Sequence, residues 1–137
     1  MTKRPMPQFF EPDTQDFWDA TKDEQLTYQQ CNLCDEIVFT PRARCTSCGS
    51  DDLARKISKG EGTVYTYSVI RQNRNPAFAD LGAYALAYID LDEGFRMLSN
   101  VVGVENPLDD VRVGQRVRVI FEKQEEGEYL IPLFIPI

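Results

Sequence analysis

The chain has 137 residues, enough for one domain of ordinary size or a compact core with a small module attached, which excludes a two-enzyme arrangement. Hydrophobic residues make up 42% and charged residues 27%, a balance that can bury a core and excludes a disordered chain. The formal net charge is −7, with acid concentrated in residues 11–24 and 122–128, which suits neither a polyphosphate backbone nor a nucleic-acid groove.

Residues 1–24 are expected to form an N-terminal arm and helix. Pro5, Pro7 and Pro12 and the adjacent Phe9 and Phe10 predict an extended arm that packs on something. The start lacks the apolar stretch of a signal peptide, and no apolar run approaches the ~20 residues that span a bilayer, so a cytoplasmic protein is expected. Asp13 or Thr14 is placed to cap a short helix with Asp16 in its first turn, ending near residues 22–24. Phe17 and Trp18 are its anchors to a core or an interface, since large aromatics contribute mainly buried area.

Residues 25–59 are expected to form a ribbon. Leu26 and Tyr28 alternate with polar neighbours, which predicts a short strand leading into Cys31. The spacing Cys31-x2-Cys34, ten residues, Cys45-x2-Cys48 describes two knuckles whose thiolates converge on one centre, with Pro41 and Gly49 where turns are needed. A reducing compartment disfavours disulfides, and no βαβ pattern follows either pair, as a thioredoxin-like site requires. Sulfur-only tetrahedral sites most often hold structural zinc, and iron in a rubredoxin-like centre shares the ligand set. Such a closed set leaves no open position for water, so the metal would hold the ribbon folded and activate nothing. Four thiolates around a divalent cation leave a charge that Arg42 and Arg44 are placed to offset. With Arg55, Lys56 and Lys59 these make a basic surface on an acidic protein, extended by Arg71 and Arg74.

Residues 60–137 read as β throughout. Gly60 and Gly62 open a strand over 64–70, in which Tyr65, Tyr67 and Val69 share one face and Thr66 and Ser68 the other. Strands over 83–91 and 95–104 are joined by the turn Asp92-Glu93-Gly94 as a hairpin. Val117, Val119 and Phe121 alternate with Arg116, Arg118 and Glu122, and 129–137 is a last apolar strand whose prolines suit an edge. Five antiparallel strands in about 75 residues are the content of a small Greek-key barrel of the oligonucleotide/oligosaccharide-binding (OB) type. The fold expected is therefore mainly β: a short N-terminal helix, a four-cysteine ribbon, then a five-stranded barrel.

Histidine is absent, which removes the commonest general base and any Ser-His or Cys-His nucleophile. If the four cysteines bind metal, no free thiol remains for acyl transfer, and the chain is poorly equipped for catalysis alone. A ribbon before an OB barrel also invites a nucleic-acid reading, but no stripe of Lys and Arg interleaved with aromatics runs along the predicted strands.

The order of these features, Phe17-Trp18, Leu26 and Gln29 before Cys31, the four-cysteine ribbon, then Gly60-Glu61-Gly62-Thr63-Val64-Tyr65 and the late Val113-Gly114-Gln115-Arg116-Val117 turn, resembles the acyl-CoA-associated family with a rubredoxin-like zinc ribbon and an OB fold, the thiolase-associated OB-fold proteins. The resemblance covers nearly the whole chain, with one departure: Asp35 stands where such ribbons often have glycine. It implies a non-catalytic zinc subunit that forms a hetero-oligomer with a thiolase-type acyltransferase, or with an acyl-CoA hydratase or aldolase, in lipid, steroid or aromatic-compound degradation. It further implies acyl-CoA as ligand of the assembled complex. The basic residues then suggest that Arg71, Arg74 or the 42–59 surface meets the CoA phosphates. A nucleic-acid-binding ribbon and barrel is the alternative.

Overall fold

The computed structural model describes residues 3–8 and 12–137; Phe9 and Phe10, expected to anchor the arm, lie outside the described residues. A 3-10 turn at Pro12–Thr14 leads into helix α1 (Gln15–Thr21), with Thr14 at the N-cap but without a side-chain cap bond. The helix stops at Thr21 because Lys22, Asp23 and Glu24 turn their N–H groups onto the carbonyls of Asp19, Ala20 and Thr21, tightening the last turn, and Glu24 adopts φ 55°.

The ribbon is a three-stranded antiparallel sheet of β1 (Thr27–Cys31), β2 (Ile37–Val38) and β3 (Leu53–Ile57), in the order β2-β1-β3. Its own apolar cluster is small: Cys31, Val38 and Cys45, with Leu53 against them. Sheet hydrogen bonds and a few apolar side chains do not sustain a module of this size without a further staple.

The rest is a closed barrel of β4 (Glu61–Ile70), β5 (Tyr84–Leu91), β6 (Arg96–Val101), β7 (Arg116–Glu122) and β8 (Ile131–Pro136), in the order β4-β5-β6-β8-β7, with the short helix α2 (Pro107–Asp110) between β6 and β7. Four of the pairings are antiparallel and β6–β8 is parallel, closing the barrel at Val101 opposite Phe134. This is the five-stranded Greek-key arrangement of an OB fold. Val64, Ile89, Met97, Val101, Val117 and Phe134 fill its interior, and Phe17 and Leu26 join the same core, so helix and ribbon are packed onto the barrel. Aromatic contacts run across the junction: Phe39 lies 5.8 Å from Phe17 and 4.8 Å from Phe95, and Tyr28 stacks on Phe95 at 5.0 Å.

Two expectations about faces and edges change. The β4–β5 register runs Val64 opposite Ile89 and then Thr66 opposite Tyr88, so Tyr65 is the extra residue of a bulge. The alternation slips there. Tyr67 packs against the core, while Tyr65 turns outward instead of sharing its face. The proline-bearing last strand is not an edge, because closure leaves none. Pro132 and Pro136 are tolerated in β8 because its pairing with β6 is confined to Val101 and Phe134, so few N–H groups are asked of it on that side.

Gly60 and Gly62 are required by close approach. Gly60 has φ 77° and a Cβ there would collide with the Val119 side chain; at Gly62 a Cβ would stand 2.5 Å from the Asp90 carbonyl oxygen. The acidic turn after β5 has a second job. Glu93 accepts from the Ser58 hydroxyl at 2.7 Å and the Lys59 N–H at 2.8 Å, clipping the end of the ribbon to the β5–β6 turn.

Candidate functional site

The four predicted cysteines come together at the ribbon's tip, where their Sγ atoms all lie within 4.8 Å of one another. Each pair is built the same way. Asp35 N–H donates to the Cys31 carbonyl and Gly49 N–H to that of Cys45, both at 3.0 Å, while Cys31 and Cys45 N–H donate to Glu36 and Ser50 carbonyls. Leu33 N–H points at Cys31 Sγ at 3.4 Å and Ser47 N–H at Cys45 Sγ at 3.3 Å, the donors that stabilise a thiolate. The residue after each second cysteine is left-handed, Asp35 at φ 64° and Gly49 at φ 77°. Asp35 thus fills the glycine position of the first knuckle without altering its geometry, since Asp tolerates this region better than most residues.

Sulfur atoms of Cys31 and Cys48 are 3.6 Å apart, as are those of Cys34 and Cys45. A tetrahedron with metal–sulfur bonds of about 2.3 Å has edges of about 3.8 Å, so these two edges match those of a zinc site. Taken as thiols, Cys34 and Cys45 are strongly unequal. The Glu36 backbone N–H lowers Cys34, but burial and hydrogen bonds to the other three thiols push it up to about 12. The backbone N–H of Cys48, opposed by burial and helped by that of Ser47, brings Cys45 down to about 7. Cys31 and Cys45 are buried while Cys34 and Cys48 are exposed.

The ribbon's loop is held by Gln29, whose side chain donates to the Arg42 carbonyl at 2.9 Å and accepts from the Arg42 N–H at 2.8 Å. Arg44 donates to the Gly49 carbonyl at 3.1 Å, beside the sulfur cluster. Arg55 and Lys56 lie on β3, an edge strand of the sheet, and both are exposed. Arg71 and Arg74 sit in the loop after β4, exposed and without an ion pair among the described residues.

A groove of about 550 Å³ runs between α1, the ribbon loop after β2 and the barrel. Trp18, Phe39, Pro41, Phe78, Leu98 and Pro132 represent its walls. Ile70, which precedes Arg71, also lines it. Arg4, a residue that sequence reasoning missed, also lines it. Its side chain, only 9% exposed, donates to Glu122 at 3.0 Å and to Asn100 Oδ1 at 2.6 Å, and its backbone N–H donates to Gln124 at 2.8 Å. Those partners stand 96 to 120 residues away, so no local pattern marks Arg4.

The barrel's outer face exposes Tyr65, Tyr88 and Leu98, with Tyr88 directly opposite Leu98. The cation beside them is committed: Arg96 binds both oxygens of Asp90, at 2.6 and 3.2 Å, and lies 3.5 Å over the Tyr65 ring. This is a poor surface for a nucleic acid, which needs uncommitted cations beside its stacking residues. No helix among the described residues is long and apolar enough to cross a membrane.

Two family profiles match the chain: the ChsH2 rubredoxin-like zinc ribbon domain over residues 18–54 and the ChsH2 C-terminal OB-fold domain over residues 56–122. A probable enoyl-CoA hydratase alpha subunit of Thermomonospora curvata is 33% identical over 88% of this chain, which spans 36% of that protein's length. A DUF35 domain-containing scaffold protein of Methanothermobacter thermautotrophicus is 31% identical, over 75% of this chain and 77% of its own length. Among solved structures, a chain of the Ltp2-ChsH2(DUF35) aldolase superposes with a TM-score of 0.83 at 29% identity, covering 95% of this chain and 98% of that one. A DUF35 protein of Sulfolobus solfataricus, at 16% identity and a TM-score of 0.65, shares the fold. The chain belongs to the DUF35 family, with the ChsH2 pairing of a rubredoxin-like zinc ribbon and a C-terminal OB fold.

Proposed function

We propose that this chain is a non-catalytic, zinc-stapled subunit of a complex acting on acyl-CoA, docked on a thiolase-type enzyme and helping to form its acyl-CoA site. The observation that carries this is the full-length likeness to a chain of the Ltp2-ChsH2(DUF35) aldolase. The chemistry agrees with it. With no histidine and four cysteines gathered into one cluster, the chain has neither the base nor the nucleophile of acyl transfer, and a partner would supply both. Cys31, Cys34, Cys45 and Cys48 would hold the zinc, which supplies folding energy and no Lewis-acid step. The hydratase and aldolase descriptions of its relatives favour an acyl-CoA lyase or hydratase as the variant of this reading.

Arg71 and Arg74 are the cations placed to meet the CoA phosphates. They are exposed, uncommitted among the described residues, and follow Ile70 at the groove wall. Purification of the tagged chain from its native source, with identification of what accompanies it, tests the subunit assignment. A stoichiometric acyl-CoA enzyme is expected; a chain that emerges alone, or with nucleic acid, overturns it. In the assembled complex, Arg71→Ala with Arg74→Ala is expected to weaken CoA binding by about tenfold, and unchanged affinity removes these residues from the phosphate site.

A further inference from the structure

The groove beside α1 combines apolar walls, aromatic and aliphatic, with a few polar groups, among them Arg4 and Asn100 in direct hydrogen bond. Its volume of about 550 Å³ lies in the range of about 300–1,000 Å³ typical of small-molecule sites, and apolar walls with few convergent polar groups are their usual composition. Arg4 decides what this polar pair accepts. Its Nε is bound to Glu122 and its Nη1 to Asn100, while among the described residues Nη2 makes no hydrogen bond. The guanidinium is therefore already neutralised but still has donors to offer. A second carboxylate would crowd Glu122 around one cation, whereas an uncharged carbonyl oxygen takes the spare donor with no added charge.

We infer that this groove binds the acyl part of a neutral, apolar acyl derivative, an ester or thioester, with its carbonyl oxygen at the Arg4 guanidinium. The inference deepens the acyl-CoA reading above and rests on it for the choice of ligand. It goes beyond that reading in placing the acyl chain within this subunit and assigning its carbonyl to Arg4. The hydrocarbon lies against Trp18, Phe39 and Leu98. Glu122 and Asn100 act by holding the guanidinium in place.

Trp18 is the only tryptophan and lines the groove, so its emission reports occupancy. The full, zinc-loaded chain would be titrated with S-octanoyl-N-acetylcysteamine, octanoate and the S-octyl thioether that lacks the carbonyl. The thioester is expected to shift Trp18 emission saturably and to bind at least tenfold tighter than octanoate and about fivefold tighter than the thioether. Extending the acyl chain by two carbons is expected to tighten binding about tenfold, as burial of two methylenes requires. Leu98 is 51% exposed, so Leu98→Asp is tolerated by the fold and is expected to weaken the thioester at least tenfold with zinc content and circular dichroism unchanged. No saturable shift in the intact chain, binding of octanoate as tight as the thioester, or indifference to Leu98→Asp overturns the site; equal binding of the thioether removes Arg4 from it. The subunit assignment is read separately by co-purification, so an enzyme partner found on a chain whose groove takes no thioester would sink this inference alone.

Discussion

Asp35 shows how a single residue can depart from a family pattern without departing from its geometry. Its φ of 64° matches the 77° of Gly49 at the equivalent point of the second knuckle, and both N–H groups donate to the carbonyl four residues back. Asp35→Gly is therefore expected to leave stability within about 0.5 kcal/mol in chemical denaturation of the zinc-loaded chain. Asp35→Val, whose branched side chain is forced into the left-handed region, is expected to cost about 1–2 kcal/mol. Equal midpoints for the two variants would show that the knuckle does not depend on this conformation. The cysteines were legible in the sequence because their information is local: two residues between each pair set the knuckle, and ten between the pairs allow the hairpin. Arg4 was not, because its meaning depends on Asn100, Glu122 and Gln124, which reach it only after the barrel has closed.

At the level of elements, alternation with period two, a turn signal and an apolar run together located the barrel strands, and alternation failed where its period was interrupted. A bulge inserts one residue without changing composition, so Tyr65 read as a neighbour of Tyr67 on one face although the register sets them apart. Prolines in β8 read as an edge because closure is a non-local fact. The glycines of Gly60-x-Gly62 were visible as a strand opening, but their reason, contact with Val119 and with the Asp90 carbonyl, belongs to neighbouring strands. Gly62→Ala is expected to destabilise the chain by about 2 kcal/mol, in the range of overpacking substitutions; a loss below about 0.5 kcal/mol in urea unfolding would mean that β5 yields freely there. The Glu93 clip joins two elements and predicts a different outcome. Glu93→Ala removes the acceptor of both the Ser58 hydroxyl and the Lys59 N–H, so hydrogen exchange is expected to quicken at Lys59 and in β3 while β5 and β6 stay protected. Uniform quickening across the barrel would show that the clip supports the whole fold.

For the whole molecule the two halves are stabilised by different means. The barrel has a continuous apolar core that also takes in Phe17 and Leu26, whereas the ribbon's own cluster is Cys31, Val38 and Cys45 with Leu53 beside them. Removing a closed sulfur-bound metal therefore takes most of the folding energy from one half and little from the other. Tyr28 and Phe39 of the ribbon remain drawn to Phe95 of the barrel, but such aromatic contacts contribute about 0.5–1.5 kcal/mol each beyond area burial, too little to offset the entropy of ordering some 30 residues. Chelation under reducing conditions should release about one zinc per chain and bring loss of amide protection across residues 27–57. Strands β5 and β6 should keep theirs. The groove should be lost with the ribbon, because Phe39, Thr40 and Pro41 form one of its walls. Restoring zinc should recover both together, whereas zinc release with protection unchanged at residues 27–57 would show that the ribbon folds on its own contacts. Cooperative melting of ribbon and barrel together would instead show that the junction at Phe39 and Glu93 makes them one unit.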